Sequence, residues 1–252
     1  MTVRTESFAE ACALVTIDRA ERRNALDAQT ATELAEAIEA ASETARVVIL
    51  TGAGDAFCAG GDLDELEAWA ELPEERIGAE LYQSYQGMVR AIRATTAVVI
   101  AAINGAAVGA GLDLALACDL RVASATARLG QVWVRLGVIP GTGGAWLTQA
   151  LAGPTAAAEL LLTGRIVDAK EAYRLGLVNE VVEPARLLDR CRELAAEIIA
   201  NPPEGVAANK RALVAASETG LNAALAHAAE VQPQRFRSDE FRAAVRARRS
   251  GR

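Results

Sequence analysis

Two glycine-rich stretches constrain this chain more than anything else in it. The first is Thr51-Gly52-Ala53-Gly54-Asp55-Ala56-Phe57-Cys58-Ala59-Gly60-Gly61-Asp62-Leu63. The second is Asn104-Gly105-Ala106-Ala107-Val108-Gly109-Ala110-Gly111-Leu112-Asp113. A strand-forming run precedes each, Arg46-Val47-Val48-Ile49-Leu50 and Val98-Val99-Ile100-Ala101-Ala102-Ile103, and a helix-like stretch follows each. Strand, glycine turn, helix, repeated, aims two sets of backbone N–H groups at one point. Glycine permits positive φ and close backbone approach. Helix N-termini present unpaired donors with a favourable dipole. Two converging amides can stabilise charge that develops on a carbonyl oxygen.

An α/β core with a helical tail follows from the rest of the chain. Cys12–Ile17 reads as a first strand and 27–41 as an amphipathic helix, with Leu34 and Ile38 four apart. Residues 63–77 are acidic and carry Trp69 and Pro73, which fits a loosely held lid or an ordinary surface connection. Residues 81–93 read as a further helix. The stretch from Gly109 to Cys118 is nearly all apolar, so that helix is expected to be buried all round. Residues 119–123 form a short strand, 128–144 are turn-rich, and 145–151 and 154–162 are helical. Asp168 is a candidate N-cap and Gly176 a stop for the helix between them, and 177–182 is a last strand. After Pro184 only helical periodicity remains, over 187–200, 203–216 and 221–236. This divides the chain into a core, 1–186, and a helical region, 187–252. The basic end (Arg242, Arg246, Arg248, Arg249, Arg252) reads as a solvated terminus or a contact for a phosphorylated ligand.

Composition narrows the function. A chain of 252 residues can bury a substantial core, but with 52% hydrophobic and only 4% aromatic residues it must pack small aliphatic side chains. The formal net charge of −7 argues against a general nucleic-acid binder. Cys12, Cys58, Cys118 and Cys191 have no paired spacing, which suggests reduced thiols rather than a zinc site or disulfides. No charged-then-apolar leader opens the sequence, and no apolar run is long enough to span a membrane. A cytoplasmic protein that does not bind membranes is expected.

Several chemistries are disfavoured. Gly52-Ala53-Gly54 begins a dinucleotide fingerprint, but Phe57 occupies its third glycine position. There is no phosphate-binding loop ending in Gly-Lys-Ser/Thr and no Gly-x-Ser-x-Gly elbow. His227 is the sole histidine, in an alanine-rich helical stretch, so a histidine triad or multi-histidine metal site is not expected.

At four places the sequence resembles the crotonase superfamily, the enoyl-CoA hydratase/isomerase family. They are Arg23-Asn24-Ala25-Leu26, Ala56 to Leu63, Asn104 to Asp119, and Gly130 to Gly144; Asp168 to Ala172 with Gly176-Leu177-Val178 adds to them. The resemblance covers nearly the whole chain. It implies an α/β fold, a spiral of ββα units with a C-terminal helical region that builds homotrimers or hexamers. It implies a coenzyme A thioester as substrate and no bound cofactor. The oxyanion donors by position are the N–H groups of Gly61 and Ala110, with Ala110 in place of a more usual glycine. The loops with Arg23 and Ala25, and with Ala59, Gly61, Asp62 and Leu63, would hold the CoA moiety, arginines near Arg23 meeting its phosphates. Trp133 and Gly141 would border the acyl group.

The sequence also departs from the family. Its hydratases use two glutamates; here the first position is Asp113 and the second is Trp133. Indole is a donor only, and an aspartate carboxylate retreats by about 1.5 Å relative to glutamate. A one-carboxylate enzyme is therefore expected, for double-bond isomerisation or hydratase-like lyase chemistry, with Asp113 as the acid or base. The alternative is an acyl-CoA-binding homologue without chemistry. Gly141 stands where dehalogenases of the family carry an aspartate, which disfavours dehalogenation. Plainer readings exist too: Asp113 as an acid favoured by the helix dipole, Trp133 as packing, Asp62 as a helix cap, and Asp64, Glu65 and Glu67 as solvated lid charges.

Overall fold

The computed structural model describes residues 1–219. They fall in two compact units, Met1–Glu193 and Leu194 onward. In the first unit a hairpin, β1 (Val3–Ala9) and β2 (Cys12–Ile17), leads to α1 (Ala28–Thr44). Three repeats follow. In each, a long strand is joined by a tight turn to a short strand and then to helix. The first is β3 (Val47–Gly52), β4 (Ala56–Cys58), α2 (Leu63–Trp69), α3 (Glu74–Glu80) and α4 (Gln86–Ala94). The second is β5 (Val98–Ile103), β6 (Ala106–Val108) and α5 (Ala110–Ala117). The third is β7 (Leu120–Ser124), β8 (Arg128–Gly130) and α6 (Gly144–Thr163). Then come β9 (Ile166–Asp168), α7 (Ala169–Arg174), β10 (Glu180–Val182) and the start of α8 (Leu187–Ile199).

The long strands build a sheet of order β1-β2-β3-β5-β7-β10, parallel except for β1, and the short strands build a second sheet, β4-β6-β8-β9. This is the expected spiral of ββα units. Every residue of β2, β3 and β5 is buried. A parallel sheet covered on both faces needs such unbroken apolar runs, so these strands were visible in the sequence. Helix α5 is buried at all eight positions, as its apolar run requires. Asp27 caps α1 by accepting from Thr30 N at 2.7 Å, and Asp168 caps α7 by accepting from Glu171 N at 2.8 Å.

Other elements differ from expectation. The first strand is β1, not β2. It is a solvated edge whose polar residues carry no core signal. The acidic stretch after Asp62, read as a loosely held lid or a surface connection, folds as two helices, with Pro73 at the N-cap of the second. Residues Leu81–Tyr85 form a π-turn that runs into α4, where a regular helix was expected. The helices expected at 145–151 and 154–162 are both present, as the two halves of α6 on either side of Gly153, whose φ of 78° and ψ of 167° are not helical.

The second unit contains the end of α8 and α9 (Pro203–Thr219). The expected helix over 221–236, His227 and the basic end lie outside the described residues. Among the described residues no helix is long and apolar enough to cross a membrane.

Candidate active site

The parallel pairing of β4 with β6 brings the two glycine stretches side by side, with Ala56 opposite Ala106 and Cys58 opposite Ala107. Beyond these strands the backbones converge. Gly109 adopts φ 55° and ψ −124°, a conformation open to glycine and closed to side chains. A methyl group added there would sit 4.0 Å from Gly60 Cα, and one added at Gly60 would lie 3.8 Å from Ala110 N. Two asparagines tie the turns down. Asn24 Nδ2 donates to the Ala53 and Ala56 carbonyls, and Asn104 Nδ2 to those of Gly52, Gly54 and Ala56.

Gly61 follows Gly60 and precedes Asp62, the N-cap of α2; Ala110 opens α5. The first N–H groups of a helix have no intrahelical acceptor. Both residues line a cavity of about 310 Å³, together with Ala59, Leu63, Leu66, Trp133 and Leu136 among others. Ala59, Val108 and Ile166 also line a second cavity of about 570 Å³, where Arg23 and Arg128 supply positive charge. The two share these lining residues and so adjoin as one groove; Arg135 is the charged residue of the first cavity, and Asp55 stands with the two arginines in the second. A third cavity, of about 420 Å³, lies along β1 and α1, away from the glycine turns.

Asp113 stands one helical turn beyond Ala110 and is fully buried. Its Oδ2 accepts from Thr142 Oγ1 at 2.6 Å, and its Oδ1 accepts from Gln131 Nε2 at 2.8 Å. Gln131 Nε2 also donates to Thr148 Oγ1 at 3.0 Å. Burial raises the Asp113 pKa to about 6, against the opposing pull of Thr142, Gln131, the Trp133 indole and the Gly144 N–H. The Trp133 N–H lies close enough to the carboxyl group to exert that pull, although outside strict hydrogen-bond geometry. The backbone must come very close here: a methyl group on Gly144 would lie 1.9 Å from Asp113 Oδ1. Nearby, burial pushes the Cys58 thiol up to about 12, so it is no nucleophile at neutral pH.

The structure thus gathers Gly61, Ala110, Ala59, Leu63 and Trp133 around one cavity, with Asp113 behind it and Arg23 at the rim of the adjoining one. Ala25, Asp62 and Gly141 line neither cavity. The Ala25 carbonyl accepts from Arg19 Nη1, and the Gly141 carbonyl from Gln86 Nε2. Asp62 caps α2 through Asp64 N and pairs with Arg19 at 3.0 Å. Of the lid acids, Asp64 is exposed and pairs with Arg22, but Glu65 is not simply solvated. It accepts from Ala28 N and from the buried Tyr85 hydroxyl, fastening α2 to the body. Thr142, Thr148 and Tyr85 were not singled out from sequence. Gln131, a polar residue in an apolar stretch, was the one visible hint of a buried polar network.

Convergent glycine turns on a ββα spiral, over a groove with two arginines at one end, define a small-molecule site of α/β type. The comparisons agree on its kinship. A family profile described as enoyl-CoA hydratase/isomerase matches residues 7–250. The short-chain-enoyl-CoA hydratase of Clostridium acetobutylicum is 36% identical over 93% of this chain and 90% of its own length. The 1,2-epoxyphenylacetyl-CoA isomerase of Escherichia coli is 33% identical over 92% of this chain and 90% of its own. The crystal structure of an enoyl-CoA hydratase from Bacillus anthracis superposes with a TM-score of 0.92 at 31% identity, covering 100% of this chain and 97% of that one. The chain belongs to the enoyl-CoA hydratase/isomerase family, within the crotonase superfamily.

Proposed function

We propose that this protein is an enzyme acting on an enoyl-CoA thioester by double-bond isomerisation or hydration, with no bound cofactor. The observation that carries the reading is the meeting of two glycine turns at one cavity, with a buried carboxyl group of raised pKa behind its wall, one helical turn beyond Ala110. The thioester carbonyl oxygen accepts from the Gly61 and Ala110 N–H groups, which stabilise the enolate. Arg23 and Arg128 meet the phosphates of coenzyme A at the wider end of the groove. In isomerisation, ionised Asp113 takes a proton from C2 of a 3-enoyl thioester. The electron pair passes into the thioester as an enolate, and the same proton returns at C4, leaving the double bond between C2 and C3. A base with a pKa of about 6 is largely ionised at neutral pH and more basic than an ordinary carboxylate. The four buried free thiols suit the reducing cytoplasm.

The test offers a 3-enoyl-CoA to wild type and Asp113→Asn and follows the absorbance of the conjugated product. Wild type is expected to raise it, and the variant to be slower by at least about 100-fold. Equal rates in the two proteins would remove Asp113 from the chemistry.

A further inference from the structure

The direction of the Gly61 N–H follows from its neighbours. The Gly60 carbonyl accepts from Leu26 N at 2.7 Å, and Asp62 N donates to the Leu26 carbonyl at 2.7 Å. Leu26 and Gly61 thus form an isolated parallel bridge. The Gly60 carbonyl and the Gly61 N–H belong to one planar trans peptide and point opposite ways. With that carbonyl turned to Leu26, the Gly61 N–H is turned away from Leu26, which lines neither cavity of the groove, whereas Gly61 lines the first. This N–H has no acceptor among the described residues.

Leu26 sits in a strap, 19–27, that needs fastening. Arg23 and Asn24 adopt φ of 53° and 58°. Side chains disfavour such left-handed conformations, which persist only where surrounding contacts impose them. One side chain supplies several of these contacts. Arg19 Nη1 donates to the Ala25 carbonyl at 2.6 Å. Its Nη2 pairs with Asp27 at 3.0 Å and with Asp62 at 3.0 Å. Ala25 and Asp27 flank Leu26, and Asp62 follows Gly61. A single guanidinium therefore clamps both chains of the bridge, a task for which its planar fork of donors is suited. The Arg19 and Asp62 side chains are 13% and 7% exposed, so solvent and salt screen the pair little.

We infer that Arg19 is a positioning residue for the oxyanion donor: acting through Asp62 and the Leu26 strap, it holds the Gly61 N–H in line with the thioester carbonyl. The inference rests on the reading of Gly61 as that donor. Arg19 lines neither cavity of the groove, so it acts through these contacts and not on the substrate itself.

The experiment binds butanoyl-CoA labelled with 13C at the thioester carbonyl and reads the carbonyl stretch by isotope-edited infrared spectroscopy. In wild type the stretch is expected at lower frequency than in water. Arg19→Met should lose about half of that lowering, because one of two donors leaves its line. Asp62→Asn keeps an oxygen for the α2 cap but loses the ion pair. It should lose a similar share, and the double variant no more than either single one. With a 3-enoyl-CoA, Arg19→Met should lower kcat about 10- to 100-fold while KM stays within about threefold. A merely structural role would lower the melting temperature and leave the carbonyl frequency of the bound thioester where it was. A wild-type frequency in Arg19→Met, or additive losses in the double variant, would overturn the inference. Should Arg19→Met fail to fold, a wild-type frequency in Asp62→Asn would do the same. No lowering in wild type would overturn the reading of Gly61 as the oxyanion donor, whereas a lowering that survives in both variants would leave that reading standing.

Discussion

Burial and hydrogen bonding pull the ionisation of Asp113 in opposite directions, and burial wins. With its folded-state pKa of about 6 above the ordinary aspartate value, the native protein holds this proton over a range where the unfolded chain has lost it. Stability from this group is therefore present at low pH and declines as pH rises from about 4 to about 6, by on the order of 3 kcal/mol. Activity runs the other way, because the base must be ionised. We expect kcat/KM for a 3-enoyl-CoA to climb with pH along a limb near 6. Urea unfolding of wild type and Asp113→Asn between pH 4 and pH 7 should show their difference shifting against wild type as pH rises; a pH-independent difference would mean the carboxyl group does not titrate there. The sequence exposed this acid through its place in the first turn after a glycine stretch. It hid the partners, because Gln131 and Thr142 lie 18 and 29 residues away and meet Asp113 only through folding.

Among elements, the start of α6 and the attachment of α2 govern the site. Gly144→Ala would drive a methyl group into the Asp113 carboxyl group. The expected cost is about 2 kcal/mol of stability, together with a fall in kcat larger than any change in KM; urea unfolding and steady-state kinetics measure both. Tyr85 donates to the Leu26 carbonyl at 2.9 Å and to Glu65 on α2. Tyr85→Phe should cost roughly 1–2 kcal/mol and speed hydrogen exchange along α2 more than along α1. Equal exchange in the two proteins would show that Glu65 does not fasten that helix. Strands β2, β3 and β5 were legible because both faces are buried. Strands β4, β6, β8 and β9, three residues each, are too short for any period to register and exist only as neighbours of one another.

For the whole molecule, the groove accounts for some apolar side chains and leaves others in water. Ile139, Trp146 and Leu162, which line neither cavity of the groove, are 83%, 44% and 76% exposed. They support the homotrimer or hexamer that the family resemblance implies. Sedimentation equilibrium should return three or six times 26.4 kDa, and Ile139→Asp should lower that mass; a monomeric wild type would sink the proposal. At this scale the sequence was most informative about kinship, because the glycine turns recur in fixed order. It said less about assembly, since a side chain that faces a neighbour and one that faces the core are both simply apolar.

The grip on Asn104 has a consequence for how the protein ages. An asparagine followed by glycine is the pair most prone to spontaneous deamidation, which needs the next backbone nitrogen to swing onto the side-chain carbonyl carbon. Here the amide is held by the carbonyls of Gly52, Gly54 and Ala56, and the backbone at Gly105 is wedged against Asp55, where an added methyl group would fall 1.9 Å from the carbonyl oxygen. Folding thus shields its most fragile peptide link. The same conversion in the unfolded chain would place a carboxylate against three carbonyl oxygens, so a long-lived unfolded pool would lose, irreversibly, its capacity to rebuild the site.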